Sequence, residues 1–128
     1  NMFQDILIVD DSATSRMIIK RCFEIAGYPD AKYHEAEDGL RALGLLAETK
    51  VDLILSDLKM PKMDGRTFIK KLRISERTKD IPVVVISSRG SEVTEADLRQ
   101  CGAQGIIRKP ISPAHVTEVM EEVDGSSD

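Results

Sequence analysis

DLILSDLKMPKMDGRTFIKKL, residues 52–72, changes character twice. Leu53, Ile54 and Leu55 form an unbroken apolar run, the pattern of a strand buried on both faces, as in a parallel sheet. The run ends in an aspartate, Asp57. A loop with Met60, Pro61, Met63 and Gly65 follows, and then Phe68, Ile69 and Leu72 recur at helical spacing. The unit is a strand, a carboxylate at its C-terminal end, a short loop and a helix.

The same alternation runs along the chain in both directions. DILIVD (5–10), IPVVVISS (81–88) and GIIRK (105–109) read as further buried strands, with Pro82 at a strand start where its missing N–H is tolerated. AKYHEA (31–36) is more polar and suits a sheet edge. Between them lie helical stretches. In SATSRMIIKRCFEIAG (12–27) the expected inward stripe is Met17, Ile18, Cys22, Phe23 and Ile25, and Gly27 is placed to end the helix. In DGLRALGLLAE (38–48) Asp38 is the expected N-cap, and Leu40, Leu43, Leu46 and Ala47 the inward side. SEVTEADLRQCG (91–102) should end at Gly102. SPAHVTEVMEEV (112–123) carries Ser112 as N-cap and Pro113 at its first position. Five strands alternating with five helices imply a parallel sheet covered on both faces by right-handed crossovers. One domain is expected over residues 4–123, with 124–128 a polar tail or the start of a linker; Asn1 ahead of Met2 suggests Met2 as the natural start.

Composition narrows the function. The chain of 128 residues has a net charge of -4, which gives no electrostatic footprint for nucleic acid. No apolar run approaches the ~20 residues that span a bilayer, and no secretory leader is apparent, so a cytoplasmic setting is expected. The basic run Lys62, Arg66, Lys70, Lys71, Arg73, Arg77 and Lys79 reads as a solvated helix face and loop. Cys22 and Cys101 match no metal or redox spacing, and His34 and His115 have no ligand partners nearby in sequence.

In a doubly wound sheet all strand C-terminal ends share one rim, and ligands bind there. The residues that fall on that rim are Asp10 and Asp11, Asp57, Ser87 and Ser88, and Lys109 followed by Pro110. Clustered carboxylates repel and call for a cation. A hard divalent ion such as magnesium suits oxygen donors. Acids, hydroxyls and a fixed lysine together suit a phosphoryl group.

These residues, with AEDG (36–39), SDLKMPKMDG (56–65), ISS (86–88), CGAQG (101–105) and RKP (108–110), resemble the receiver domains of two-component response regulators, nearest to the stand-alone chemotaxis, CheY-like type. The resemblance covers about Asp5 to Val123. It implies a flavodoxin-like, doubly wound five-stranded parallel sheet in the order 2-1-3-4-5, an order taken from the family. It also implies roles. Asp57 would accept a phosphoryl group from a phosphohistidine on a sensor histidine kinase or phosphotransfer protein. Asp11 and Asp57 would bind Mg2+, with Asp10 holding the metal's waters and the Lys59 backbone carbonyl as a further ligand. Lys109 would pair with a phosphoryl oxygen, and Ser87 would be the switch hydroxyl. Lys109–Pro110 would be a cis peptide. The fourth helix, fifth strand and fifth helix would present the altered surface to a downstream effector.

Three departures from the family pattern involve four positions. Ile106 replaces the usual aromatic, so output is expected to rely on the loop after Ser87 and the fourth helix. Lys59 and Arg89, each two residues beyond a site residue, are expected to set the lifetime of the phosphorylated state. Ser88 stands where a small residue, often Ala, is usual, and is small enough to fit. The chain would catalyse its own phosphorylation and dephosphorylation and would not turn over external substrates. Lys59 argues against an aspartate-nucleophile phosphatase, which wants an acid there, and no P-loop motif is present. A receiver drawn from a multidomain regulator with a DNA-binding or enzymatic output, or a degenerate receiver acting as an interaction module, remain the alternatives.

Overall fold

The computed structural model describes residues 3–88 and 93–125. Its strands are β1 (Asp5–Val9), β2 (Lys32–Ala36), β3 (Leu53–Ser56), β4 (Val83–Ser87) and β5 (Gly105–Arg108), and its helices α1 (Ala13–Ile25), α2 (Gly39–Glu48), α3 (Gly65–Arg73), α4 (Glu95–Cys101) and α5 (Pro113–Gly125). The strands are all parallel and lie in the order β2-β1-β3-β4-β5. This is the flavodoxin-like order that the resemblance implied. The polar strand β2 is at one edge, and β5 is at the other.

Alternate strand residues feed two cores, one on each face of the sheet. Ile6, Ile8, Leu53, Leu55, Val84 and Ile86 pack with α1 and α5. Leu7, Val9, Ile54, Val83 and Val85 pack with α2, α3 and α4. The period-2 division is the geometry of a strand buried on both faces.

Helix ends follow their capping residues. Asp38 accepts from Arg41 N at 2.8 Å, and Asp64 from Thr67 N at 2.8 Å. Ser112 Oγ accepts from His115 N at 3.2 Å. Thr94 and Asp97 form a reciprocal capping box at the start of α4, and Gly102 ends it in the left-handed region at φ 113°.

The structure corrects two inward faces. In α1 the buried residues are Ile19, Cys22 and Phe23, whereas Met17, Ile18 and Ile25 are 64%, 47% and 58% exposed. Residues 19, 22, 23 and 26 are spaced i, i+3, i+4, i+7, the stripe that meets the sheet. In α2 the buried side chains are Ala42 and Leu46, with Leu43 half-buried, while Leu40 is 52% exposed and Ala47 is also exposed. Apolar residues occupy too much of both helix circumferences for composition to select the face. At the ends, Phe3 joins the first core and α5 continues through Gly125, two residues into the expected polar tail.

One close approach fixes the loop beneath the rim. Gly65 N donates to Leu58 O at 2.8 Å. A Cβ on Gly65 would lie 2.5 Å from Asp57 O and 2.9 Å from Leu58 Cα. Both are backbone atoms with no freedom to swing away. Gly65→Ala is therefore expected to lower stability by about 2 kcal/mol or more, as overpacking against rigid neighbours does. Urea unfolding measures it, and an unchanged midpoint would show that the loop yields.

Candidate functional site

The ladder continues one residue past β1 and β3. Asp10 N donates to Ala36 O at 3.1 Å, and Asp57 N to Val9 O at 2.9 Å. The backbones of the two aspartates are thereby tied into the sheet. Lys109 is anchored in the same way, its N donating to Ser87 O at 2.7 Å. Lys109–Pro110 is cis, as the resemblance implied.

These strand ends bring the expected residues together. Carboxylate oxygens of Asp10, Asp11 and Asp57 lie within 4.8 Å of one another. Asp10 and Asp57 are buried, at 1% and 7% exposure, and Asp11 is open to solvent. Lys109 Nζ lies 3.1 Å from Asp10 Oδ2 and 3.4 Å from Asp57 Oδ2. The other oxygen of Asp57, Oδ1, accepts from Leu58 N at 2.7 Å. Asp10 also accepts from Ser12 N at 2.9 Å and from Ser15 Oγ at 2.6 Å. Arg16 Nη1 donates to the Asp10 carbonyl at 2.6 Å, and Arg16 Nε to Glu35 at 2.7 Å. Ser15 and Arg16 are supports that the sequence reading missed. Their position one turn into α1, behind the paired aspartates, is the only signal that could have found them.

One ammonium serves two buried carboxylates, and the electrostatics reflect it. Burial raises the Asp57 pKa above the ordinary carboxylate value and Asp10 raises it further; Lys109 and the Leu58 N–H only partly oppose this. For Lys109 burial favours the neutral amine, but Asp10 and Asp57 outweigh it and the pKa rises. The two shifts are consistent: the lysine is over-supplied with partners and the aspartate under-supplied. Three carboxylates (-3) against one ammonium (+1) leave a formal -2. A divalent cation would balance that charge. The all-oxygen donor set, partly open through Asp11, fits Mg2+.

The remaining residues surround this centre. Ser87 is fully buried at the end of β4, and its hydroxyl accepts from Arg108 Nη1 at 3.1 Å. Ser88 is exposed, and so is Lys59 on the loop after Asp57. Arg89 lies outside the described residues. Ile106 is half-buried and packs against the core on the α2–α3–α4 face of the sheet. The AEDG corner touches the loop after Asp57: a Cβ on Gly39 would meet Met63 Sδ at 3.0 Å, and Lys62 Nζ lies 3.8 Å from Asp38. Lys62 itself has φ 69° in that loop. Among the described residues no helix is long and apolar enough to cross a membrane.

Comparison with known proteins agrees with this geometry. The family model for the response regulator receiver domain matches residues 6–121. The chain is 37% identical over 126 residues to the chemotaxis protein CheY1 of Helicobacter pylori, covering 96% of this chain and 98% of that protein. It is 33% identical over 123 residues to CheY-3 of Vibrio cholerae, covering 96% and 93%. Among solved structures, the chemotaxis response regulator CheY4 of Vibrio cholerae superposes with a TM-score of 0.80 at 29% identity, covering 94% of this chain and 98% of that one.

Proposed function

This chain belongs to the response regulator receiver family, and we propose that it is a phosphorylation-controlled switch whose acceptor is Asp57. The observation that supports this reading is the buried Asp57 within 4.8 Å of Asp10 and Asp11, with the Lys109 ammonium against its free edge. A carboxylate oxygen of Asp57 attacks the phosphorus of a phosphohistidine on a sensor histidine kinase or phosphotransfer protein. The new O–P bond forms as the P–N bond breaks, and the histidine leaves with the electron pair. Asp11, Asp57 and the Lys59 carbonyl would hold Mg2+, with Asp10 acting through the metal's waters. Bound there, the ion would neutralise charge on the transferring oxygens. Lys109 turns from Asp57 to a phosphoryl oxygen, and Ser87 supplies a hydroxyl to another.

Phosphorylation shifts a population only through contacts that differ between two states. The contacts proposed to differ here are those of Ser87, of the loop after it and of α4, because Ile106 offers no aromatic ring to move. The α4–β5–α5 surface then changes for a downstream effector. The near full-length match to chemotaxis proteins supports a chemotaxis-type regulator working in the cytoplasm, with the receiver unit over residues 4–123. Lys59 and Arg89 are proposed to set the lifetime of the phosphorylated state; Lys59→Ala should change the decay rate of the modified protein.

Intact mass after incubation with acetyl phosphate tests the reading. The expected result is a gain of one phosphoryl group that requires magnesium, disappears in EDTA and maps to the peptide containing Asp57. A folded protein that binds magnesium but gains no mass, even from a histidine kinase, would instead make this chain an interaction module.

A further inference from the structure

Arg108 stands on β5 directly opposite Ser87 on β4. Its Nη1 donates to the Ser87 hydroxyl at 3.1 Å, and Ser87 is 0% exposed. A guanidinium is charged at any working pH, and its planar donors are stronger than a neutral N–H. The Asp57 carboxylate meanwhile takes its bonds from the Leu58 N–H and the Lys109 ammonium. The buried hydroxyl and the buried carboxylate thus have separate partners, although β3 and β4 adjoin. Ile106, two residues earlier on the same face of β5, is aliphatic and gives the hydroxyl no polar contact.

Resting on the reading of Ser87 as the hydroxyl that turns toward a phosphoryl group on Asp57, we infer that Arg108 is a positioning residue that holds this hydroxyl in the unphosphorylated state. Turning toward Asp57 stretches or breaks the Arg108 contact. An interaction made in only one of two states biases the equilibrium toward that state by its full worth. Arg108 therefore opposes activation, and its removal favours the activated state. A cation beside an anion site would ordinarily have the opposite effect, so the sign of the change separates the two roles.

The test measures binding of beryllofluoride with magnesium, a phosphoryl mimic, by calorimetry on the full chain. The proteins are wild type, Arg108→Ala, Ser87→Ala and the double variant. Arg108→Ala is expected to bind roughly three- to ten-fold more tightly, the factor corresponding to one modest hydrogen bond. In the Ser87→Ala background the same substitution should bring no tightening. A merely structural role would move the unfolding midpoint without producing this dependence on Ser87. Weaker binding by Arg108→Ala would overturn the proposal and make the guanidinium an electrostatic aid to the anion. Equal tightening with and without the Ser87 hydroxyl would overturn it too. If wild type binds and Arg108→Ala binds equally well, the Arg108 role fails alone. If no protein binds beryllofluoride, the phosphoryl chemistry of the site fails, and this role falls with it.

Discussion

Asp57→Asn is expected to abolish the magnesium-dependent phosphoryl gain and, in the same protein, to stabilise the metal-free fold at neutral pH. The first effect follows from chemistry. The amide lone pair is delocalised and cannot act as the carboxylate does, so the rate should fall by roughly 1,000-fold or more, as when a covalent nucleophile is removed. The second follows from burial. The Asp57 pKa in the folded protein lies above its ordinary value of 3.8, with desolvation the largest cause. Between those two values the native state binds more protons than the unfolded state. Stability contributed by this group is therefore highest below the window and falls as pH rises through it. At neutral pH the ionised carboxylate is a net cost that asparagine lacks. In EDTA the Asn variant should unfold at higher urea than wild type, and the difference should shrink as the solution is acidified into the ordinary carboxylate range. A variant that still gained mass would show that Asp57 is not the acceptor. A variant less stable than wild type in EDTA would show that Lys109 more than compensates for burial.

Lys109→Met should move two affinities in opposite directions. The ammonium lies 3.1 and 3.4 Å from two of the carboxylates that would hold a cation. It competes with the metal for their charge, and methionine fills much of its volume without the charge. Magnesium is expected to bind about ten-fold more tightly, well short of the full Coulomb term because the lysine is partly solvated. Beryllofluoride, which would gain the ammonium as a charge-assisted partner, is expected to bind about ten-fold more weakly or worse. Titration calorimetry reads both. If the two affinities moved together, Lys109 would be a support of the fold and not a partner of the anion.

The sequence placed Asp10, Asp11, Asp57 and Lys109 on one rim because each follows an apolar run, and in a parallel sheet every such run ends on the same side. The convergence of the three carboxylates within 4.8 Å, and the sharing of Lys109 between Asp10 and Asp57, are consistent with that placement. What was not legible has a common cause. The inward face of α1 turns on whether Ile18 or Ile19 points at the sheet, a rotation of about 100° that two adjacent isoleucines do not decide. The contact of Arg108 with Ser87 depends on the register of β4 against β5, and their positions 21 residues apart in sequence do not reveal that pairing. Gly65 looked like an ordinary loop residue. Its necessity appears only once the Asp57 carbonyl is found where a Cβ would go.

Strand β5 borders the sheet and ends in Arg108, with a second cation, Lys109, directly after it. Ile106 packs with the α2–α3–α4 core and Ile107 with the α1–α5 core, so successive side chains leave opposite faces. Arg108 follows the first alternation to Ser87, and Lys109 the second to Asp57. A charge added at Asp57 would act on Lys109 directly, and on Arg108 only through the proposed turn of the Ser87 hydroxyl. Arg108 and Lys109 are one peptide unit apart on a strand at the edge of the sheet. A one-residue slip of β5 against β4 would set Ile107 or Lys109 opposite Ser87 and turn every β5 side chain to the other face, so both contacts depend on this one register.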